Sequence, residues 1–334
     1  MKKMLVAVGL LAMVMLIAGC QKDATGPSEA GPNGVTNEQD AMKYYALNDE
    51  FVTNDEVTFQ DAAVENFEYG TFSLGKTDAA IIPVRWGRFI TGVTKTVTTT
   101  VAPGDTISYT IVEKTTTGVL KIRGKMLPAD TTLVEIQKPF VDVSKRNIIF
   151  KRVARERNRF WLNWVPVASS LVAGGTAKPA PAIKIEKVQF VRAAGDTLTI
   201  VDPLKYYMRY KWLKMWAADT KEDVLELQGG NQVRMRVVVT SAEKDTDFVF
   251  LRYGFNLTDR KRVPLECVFM NDNGDGTYTR VFQTYSARKI VAPMMHFHRG
   301  FFHLNLDAMT RSTLFTDDVN KYSVTWWGVP YRVF

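Results

Sequence analysis

The 334-residue chain carries 43 Lys and Arg against 35 Asp and Glu, a formal net charge of +8, and 46% of its side chains are apolar. That is enough chain for two hydrophobic cores. With only two cysteines, Cys20 and Cys267, a disulfide-dense scaffold is excluded and stability has to come from packing.

Lys2 and Lys3 precede an apolar run over residues 4–19. These sixteen residues fall short of the about 20 that a membrane-spanning helix needs. A basic start before a short apolar run reads as an export signal, to be set aside from the fold. The run ends Leu16-Ile17-Ala18-Gly19-Cys20, which resembles the lipobox of bacterial lipoproteins. The resemblance implies that residues 1–19 are a signal peptide and that Cys20 is lipidated as the first mature residue. An ordinary cleaved signal or an anchor helix is the alternative. Several acyl chains hold a protein on a membrane where one does so only marginally. Gln21 stands where an aspartate would resemble an inner-membrane retention signal, so the expected location is the outer membrane. Residues 20–37 are rich in Gly, Pro, Ser and Asn and read as a flexible tether.

Without Lys2 and Lys3 the net charge is +6, and it is unevenly placed. Residues 20–80 hold twelve acidic side chains against three basic ones, leaving a basic body. Such a body suits an anionic glycan, lipopolysaccharide or an envelope protein as neighbour, although high charge also serves solubility alone. Nucleic acid is discounted for an exported chain.

Asn37 is placed to cap a helix over "NEQDAMKYYALNDEF", with Ala41, Tyr44, Tyr45 and Phe51 as its apolar contacts. Strand texture follows. Val93, Val97 and Val101 share one parity, Pro103-Gly104-Asp105 signals a turn, and Ile107, Tyr109 and Ile111 alternate after it. Further strands are expected at 131–137, 146–153 and 157–165. No long helical periodicity separates them, which argues against a parallel α/β sheet. Residues 167–182, rich in small residues, Gly and Pro, read as a linker between a β-rich domain at 38–166, with an α+β arrangement as alternative, and a second β unit at 183–334. In that unit Val233, Met235, Val237 and Val239 alternate, and "NDNGDGTYTRVF" at 271–282 places an Asp-Gly turn before Thr-Tyr. This turn resembles those of filamin repeats and other immunoglobulin-like domains, and implies a β-sandwich C-terminal part. The expected fold class is therefore mainly β.

All three histidines fall within "MMHFHRGFFHLNLD", residues 294–307. If Arg299-Gly300 forms a two-residue turn, His296 faces His303, with His298 on the same side and Asp307 sharing the parity of His303. Three imidazoles on one face would make a candidate zinc site. A one-residue slip separates them, leaving an ordinary hairpin. "NDNGDG" begins like a calcium loop, but Phe282 occupies the position that requires a bidentate carboxylate. Arg155, Arg157, Arg159 and Trp161 share one parity of a strand, and Lys205, Arg209 and Lys211 another. Guanidinium forks suit carboxylate and phosphate, so these residues are the candidate binding surface, with ordinary strand alternation as the alternative. Cys267 sits in an apolar strand and reads as a buried, inert thiol. Neither a Gly-x-Ser-x-Gly motif nor a phosphate-binding loop is present, and no cofactor is implied. The reading is a lipid-anchored envelope protein with a non-catalytic binding or structural role. Its alternatives are a metal-dependent hydrolase using His296, His298 and His303, or an accessory subunit of an envelope assembly or secretion machine.

Overall fold

The structure, a computed structural model, describes residues 35–48, 80–126, 133–155, 162–191, 196–209, 225–227, 234–253, 261–284 and 301–333. Residues 1–19, Cys20 and most of the tether lie outside them. Among the described residues no helix is long and apolar enough to cross a membrane.

The chain runs α1 (Glu38–Asn48), β1 (Ile81–Val101), β2 (Ile107–Met126), β3 (Leu133–Arg152), β4 (Trp164–Ser170), β5 (Val172–Thr176), β6 (Ile183–Val191), β7 (Thr197–Ile200) and β8 (Tyr207–Arg209). It continues through β9 (Leu225–Leu227), β10 (Arg234–Ser241), β11 (Phe248–Tyr253), β12 (Lys261–Pro264), β13 (Glu266–Asp272), β14 (Tyr278–Gln283), β15 (Phe301–Met309), α2 (Arg311–Phe315) and β16 (Val324–Val333). The fold is mainly β, as its composition leads one to expect. One sheet is ordered β1-β2-β3-β5-β16-β15-β11-β12, with β4, β8 and β9 attached beside that path; the other is β13-β14-β10-β6-β7.

β1, β2 and β3 form a ribbon of about 20 residues per strand, roughly 65 Å long. Its first hairpin closes at Pro103-Gly104-Asp105, where Gly104 (φ 92°) and Asp105 (φ 56°) are left-handed. Arg152 holds the Asp105 carboxylate at 2.7 Å across that turn. Ile107, Tyr109 and Ile111 do alternate, but they point outward and are exposed. The buried side of β2 is instead Ser108, Thr110, Val112, Lys114 and Thr116, registered against Phe150, Ile148, Arg146, Ser144 and Asp142 of β3. Registered residues share a face of the sheet, so a polar strip faces inward. The strands expected at 131–137 and 146–153 are one continuous strand, because Lys138, Asp142 and Ser144 break the apolar alternation without breaking the ladder.

Each end of the ribbon's inner face has its own core. Near the turn, Val112, Ile148, Phe150 and Trp164 pack on Met42 and Ala46 of α1. Asn37 caps this helix, its Oδ1 accepting the Asp40 N–H at 2.9 Å. The buried face is Ala41, Met42 and Ala46, whereas Tyr44 is exposed and Phe51 lies outside the described residues. The helix is tied down by Glu38, whose carboxylate accepts from Arg152, from Asn163 (2.9 Å) and from the Trp164 indole (2.8 Å). Burial pushes the Glu38 carboxyl up, but the bonds from Trp164 and Asn163 and the Arg152 charge outweigh it and hold it below the usual range. At the other end Trp86, Leu120, Ile122 and Phe140 pack on Phe248, Phe250, Met309, Trp326 and α2. The large sheet therefore curls until its edges approach, and Arg262 of β12 donates to the Trp86 carbonyl of β1 at 3.3 Å.

The smaller sheet covers the opposite face of β11, β15 and β16, with Ile185, Phe190, Val237 and Phe282 meeting Leu251, Leu306, Trp327 and Val329. This is a β-sandwich, and the chain passes between its sheets at buried Leu265. The stretch 167–182, expected as a linker, holds most of β4 and all of β5, which sits between β3 and β16. Strands from both sides of it share the large sheet, so it does not divide two separate β units. Its small residues have a packing cause: a Cβ on Gly174 would enter the Trp326 ring. The C-terminal aromatic run is a tied-down strand and a central one, between β5 and β15.

Glu38→Ala should release α1 from the ribbon and uncover Trp164. The expected result is a destabilisation of about 2 kcal/mol with a red-shifted indole emission, measured by denaturant unfolding. Unchanged stability and emission would contradict the role given to Glu38.

Candidate functional site

Inside the curl the large sheet carries charge where a core would be apolar. On β15, Leu304, Leu306 and Ala308 enter the sandwich core, so Asn305, Asp307 and Met309 face the ribbon. Asp307 is fully buried and is bound by both terminal nitrogens of fully buried Arg88, at 2.9 and 3.0 Å. Arg252 of β11 stands 3.2 Å from the same carboxylate. Burial alone would raise the Asp307 carboxyl, but Arg88, Arg252 and Arg262 hold it below the usual range. Arg262 lies on the Trp86 ring at 3.7 Å, a cation–π contact at this end of the interior.

A second carboxylate completes the interior. Tyr322 donates to Asp142 at 2.9 Å and stacks on Phe140, with Arg88 5.8 Å from its ring. Burial pushes the Asp142 carboxyl up to about 6, against the pull of Arg88 and of the Tyr322 hydroxyl. Lys138, also inward on β3, donates to the carbonyls of Ser312 and Lys321 at 3.1 Å each. It thereby fastens α2 and the turn after it, while burial lowers its amine to about 8.

The outer face of the ribbon is the reverse case. No residue of β1, β2 or β3 belongs to the sandwich core, and Ile107, Tyr109, Ile111 and Val141 are exposed. Register places Arg85 opposite Arg123, with Lys121 and Lys125 to either side and Lys145 and Lys151 farther along. Glu113 and Glu135 are the carboxylates of that face, and Glu113 pairs with Lys145 at 2.8 Å. Like charges in direct cross-strand register repel. Where the smaller sheet stops, a shallow groove of about 500 Å³ is lined by Val143, Lys145, Gly175, Lys178, Pro181 and Leu204.

Few of the residues singled out in the sequence are among those described. Arg155 is exposed, 3.5 Å from Asp105, and Lys205 is exposed, 3.3 Å from Asp202. Arg209 is placed by its backbone opposite Ala168, and His303 opposite Pro330. Arg157, Arg159, Trp161, Lys211, His296 and His298 lie outside the described residues. Asp307, on the parity of His303, is engaged by arginines. Among the described residues no three His, Cys, Asp or Glu side chains gather as metal ligands. "NDNGDG" is a hairpin turn: Gly274 and Gly276 are left-handed, and Asp272 and Asp275 accept the Gly274 and Thr277 N–H groups at 2.9 Å. Cys267 is half-buried, and burial raises its thiol. Reasoning from the sequence missed Arg88, Asp142, Arg252, Arg262 and Asn305. The available signal was polar residues at core parity, as in Leu304-Asn305-Leu306-Asp307-Ala308.

Compared with known proteins, the chain matches no family model, no curated protein and no solved structure.

Asp142 provides a pH test. Its folded carboxyl, at about 6, lies above the ordinary value of 3.8, so between these values the folded state binds more protons than the unfolded. Its contribution to stability is therefore present below pH 4 and falls as pH rises to 6. Unfolding measured from pH 4 to 7 should show stability falling with pH in the wild type relative to Asp142→Asn, and parallel curves would contradict this.

Proposed function

We propose that the chain is a lipid-anchored protein of the bacterial cell envelope whose role is non-catalytic binding of an anionic polymer or protein partner.

 The observation that carries the binding role is the uncovered ribbon face, where Arg85, Lys121, Arg123 and Lys125 cluster in register beside exposed apolar side chains. The groove beside Lys145 and Lys178 continues that surface. Anchoring rests on Lys2, Lys3, the apolar run at 4–19 and Cys20, and the outer membrane is the proposed location because Gln21 follows the cysteine. An acidic stretch at 20–80 would set the basic body apart from an anionic membrane surface.

Two measurements test this reading. Cys20→Ser should move the protein from the membrane fraction to the soluble one or halt its maturation; retention in the membrane contradicts lipid anchoring. On immobilised heparin, used as a polyanion, the full chain should elute at a salt concentration that drops clearly when Lys121, Arg123 and Lys125 are all replaced by Gln. Unchanged elution removes the ribbon face as the binding surface.

A further inference from the structure

Among the described residues β1 ends the large sheet, with β2 on one side only. A bulge between Ile90 and Gly92 divides the strand. Before it, Arg262 of β12 reaches the Trp86 carbonyl. Past it, Thr94, Thr96, Thr98 and Thr100 are exposed on one face, and Val93 is 45% exposed on the other. Ala102 donates to the Ile107 carbonyl at 2.8 Å and is registered on β2, so Thr100, Thr98, Thr96 and Thr94 also face β2 with their backbone. Alternation then turns the N–H and C=O groups of Val93, Val97, Thr99 and Val101 to the other edge. Val and Thr favour strand pairing, and Lys95 is the one charge that guards this edge.

The segment is complementary to itself. Residues 93–101 read Val-Thr-Lys-Thr-Val-Thr-Thr-Thr-Val, and turned end for end about Val97 they match except at Lys95 and Thr99. An antiparallel copy in that register sets Val93 against Val101 and Val97 against Val97 on the inner face. On the outer face Thr94 meets Thr100 and Thr96 meets Thr98, and such pairs stabilise a ladder. Lys95 meets Thr99 and not a second Lys95, so no like charges oppose each other. The limits of the segment share the same centre: Gly92, at the bulge, and Ala102, before Pro103, lie equally far from Val97. A two-fold contact requires a surface that is its own complement, whereas a foreign partner requires no such symmetry.

We propose that residues 93–101 of β1 pair antiparallel with the same residues of a second copy of this chain, about a two-fold axis at Val97. The two ribbons then form one continuous sheet. Because the axis stands perpendicular to that sheet, both outer faces lie on the same side. The cations around Arg85 and Arg123 of each copy stand at opposite ends of the joined face. The contact stands on β1 alone and does not depend on lipid anchoring or on polyanion binding.

The test uses the full chain in detergent. Sedimentation at micromolar concentration should give the mass of a dimer that dissociates on dilution. Thr99→Lys places like charges opposite Lys95 at two symmetric positions and should weaken the dimer about tenfold, whereas Thr99→Glu should tighten it by a similar factor. Both variants should keep the far-ultraviolet circular dichroism of the wild type, so that the change reads on association and not on folding. In a Cys267→Ser background, Val97→Cys should yield a disulfide-linked dimer on mild oxidation, since a hydrogen-bonded pair brings its Cα atoms to about 5.5 Å. Val93→Cys should not, because its two copies lie about eight residues apart along the ladder, roughly 26 Å. A chain that stays monomeric overturns the second copy as the occupant of this edge. A dimer indifferent to both changes at Thr99 overturns the placement on β1, and cross-linking of Val93→Cys in place of Val97→Cys overturns the register.

Discussion

The pair Arg88–Asp307 joins two strands that are 219 residues apart and lie five places from each other along the large sheet. A sheet of this order could remain open, leaving the inner faces of β1, β2 and β3 in water. Fully buried and bidentate, the pair instead fastens β1 across the interior to β15, and Arg262 reaches from β12 to the Trp86 carbonyl beside it. Burying two charges is expensive unless their geometry is good and their remaining atoms are bound. The chain meets part of that cost by giving Asp307 a second guanidinium, Arg252, and by placing Tyr322 and Asp142 next to Arg88. The aromatic core of Trp86, Phe140, Phe248, Phe250 and Trp326 then fills the space that the closed sheet encloses.

Much of the local structure was legible in the sequence because it depends on near neighbours. Asn37 marked its helix, Pro103-Gly104-Asp105 and the Asp-Gly turn at 275–276 marked hairpins, and the alternation of Val237 and Val239 marked a sandwich strand. The large sheet was not legible, and its polarity explains why. Alternation identifies the buried face of a strand only when that face is apolar. On β2 and β3 the inward parity carries Lys114, Thr116, Lys138, Asp142 and Arg146, while Ile107, Tyr109 and Ile111 face out, so the pattern pointed to the opposite side. Residues 167–182 misled for a related reason. Their small side chains, which in isolation suggest a linker, make room for Trp326 at Gly174, a contact about 150 residues away in the chain.

The candidate sites divide in the same manner. The basic surface expected at Arg155, Arg157, Arg159, Trp161, Lys205, Arg209 and Lys211 lies largely outside the described residues, and the sequence did not single out the uncovered cationic face along Arg85, Lys121, Arg123 and Lys125. Single-strand parity cannot bring together residues from two strands, since register decides which of them are neighbours. The polar interior was even less visible: Asn305, Arg252 and Arg262 come from three strands, and Trp86 from a fourth that closes on them only when the sheet curls.

The central claim is that the buried pair holds the curled sheet closed, and a double-mutant cycle tests it most directly. Unfolding free energies would be measured for the wild type, Arg88→Met, Asp307→Leu and the double variant. Each single change should cost roughly 3–5 kcal/mol, since it leaves a buried charge without its main partner, and the double variant should recover part of that loss. The coupling energy between the two positions should then be about 2 kcal/mol or more. A coupling below about 0.5 kcal/mol, with single variants close to wild-type stability, would contradict the account.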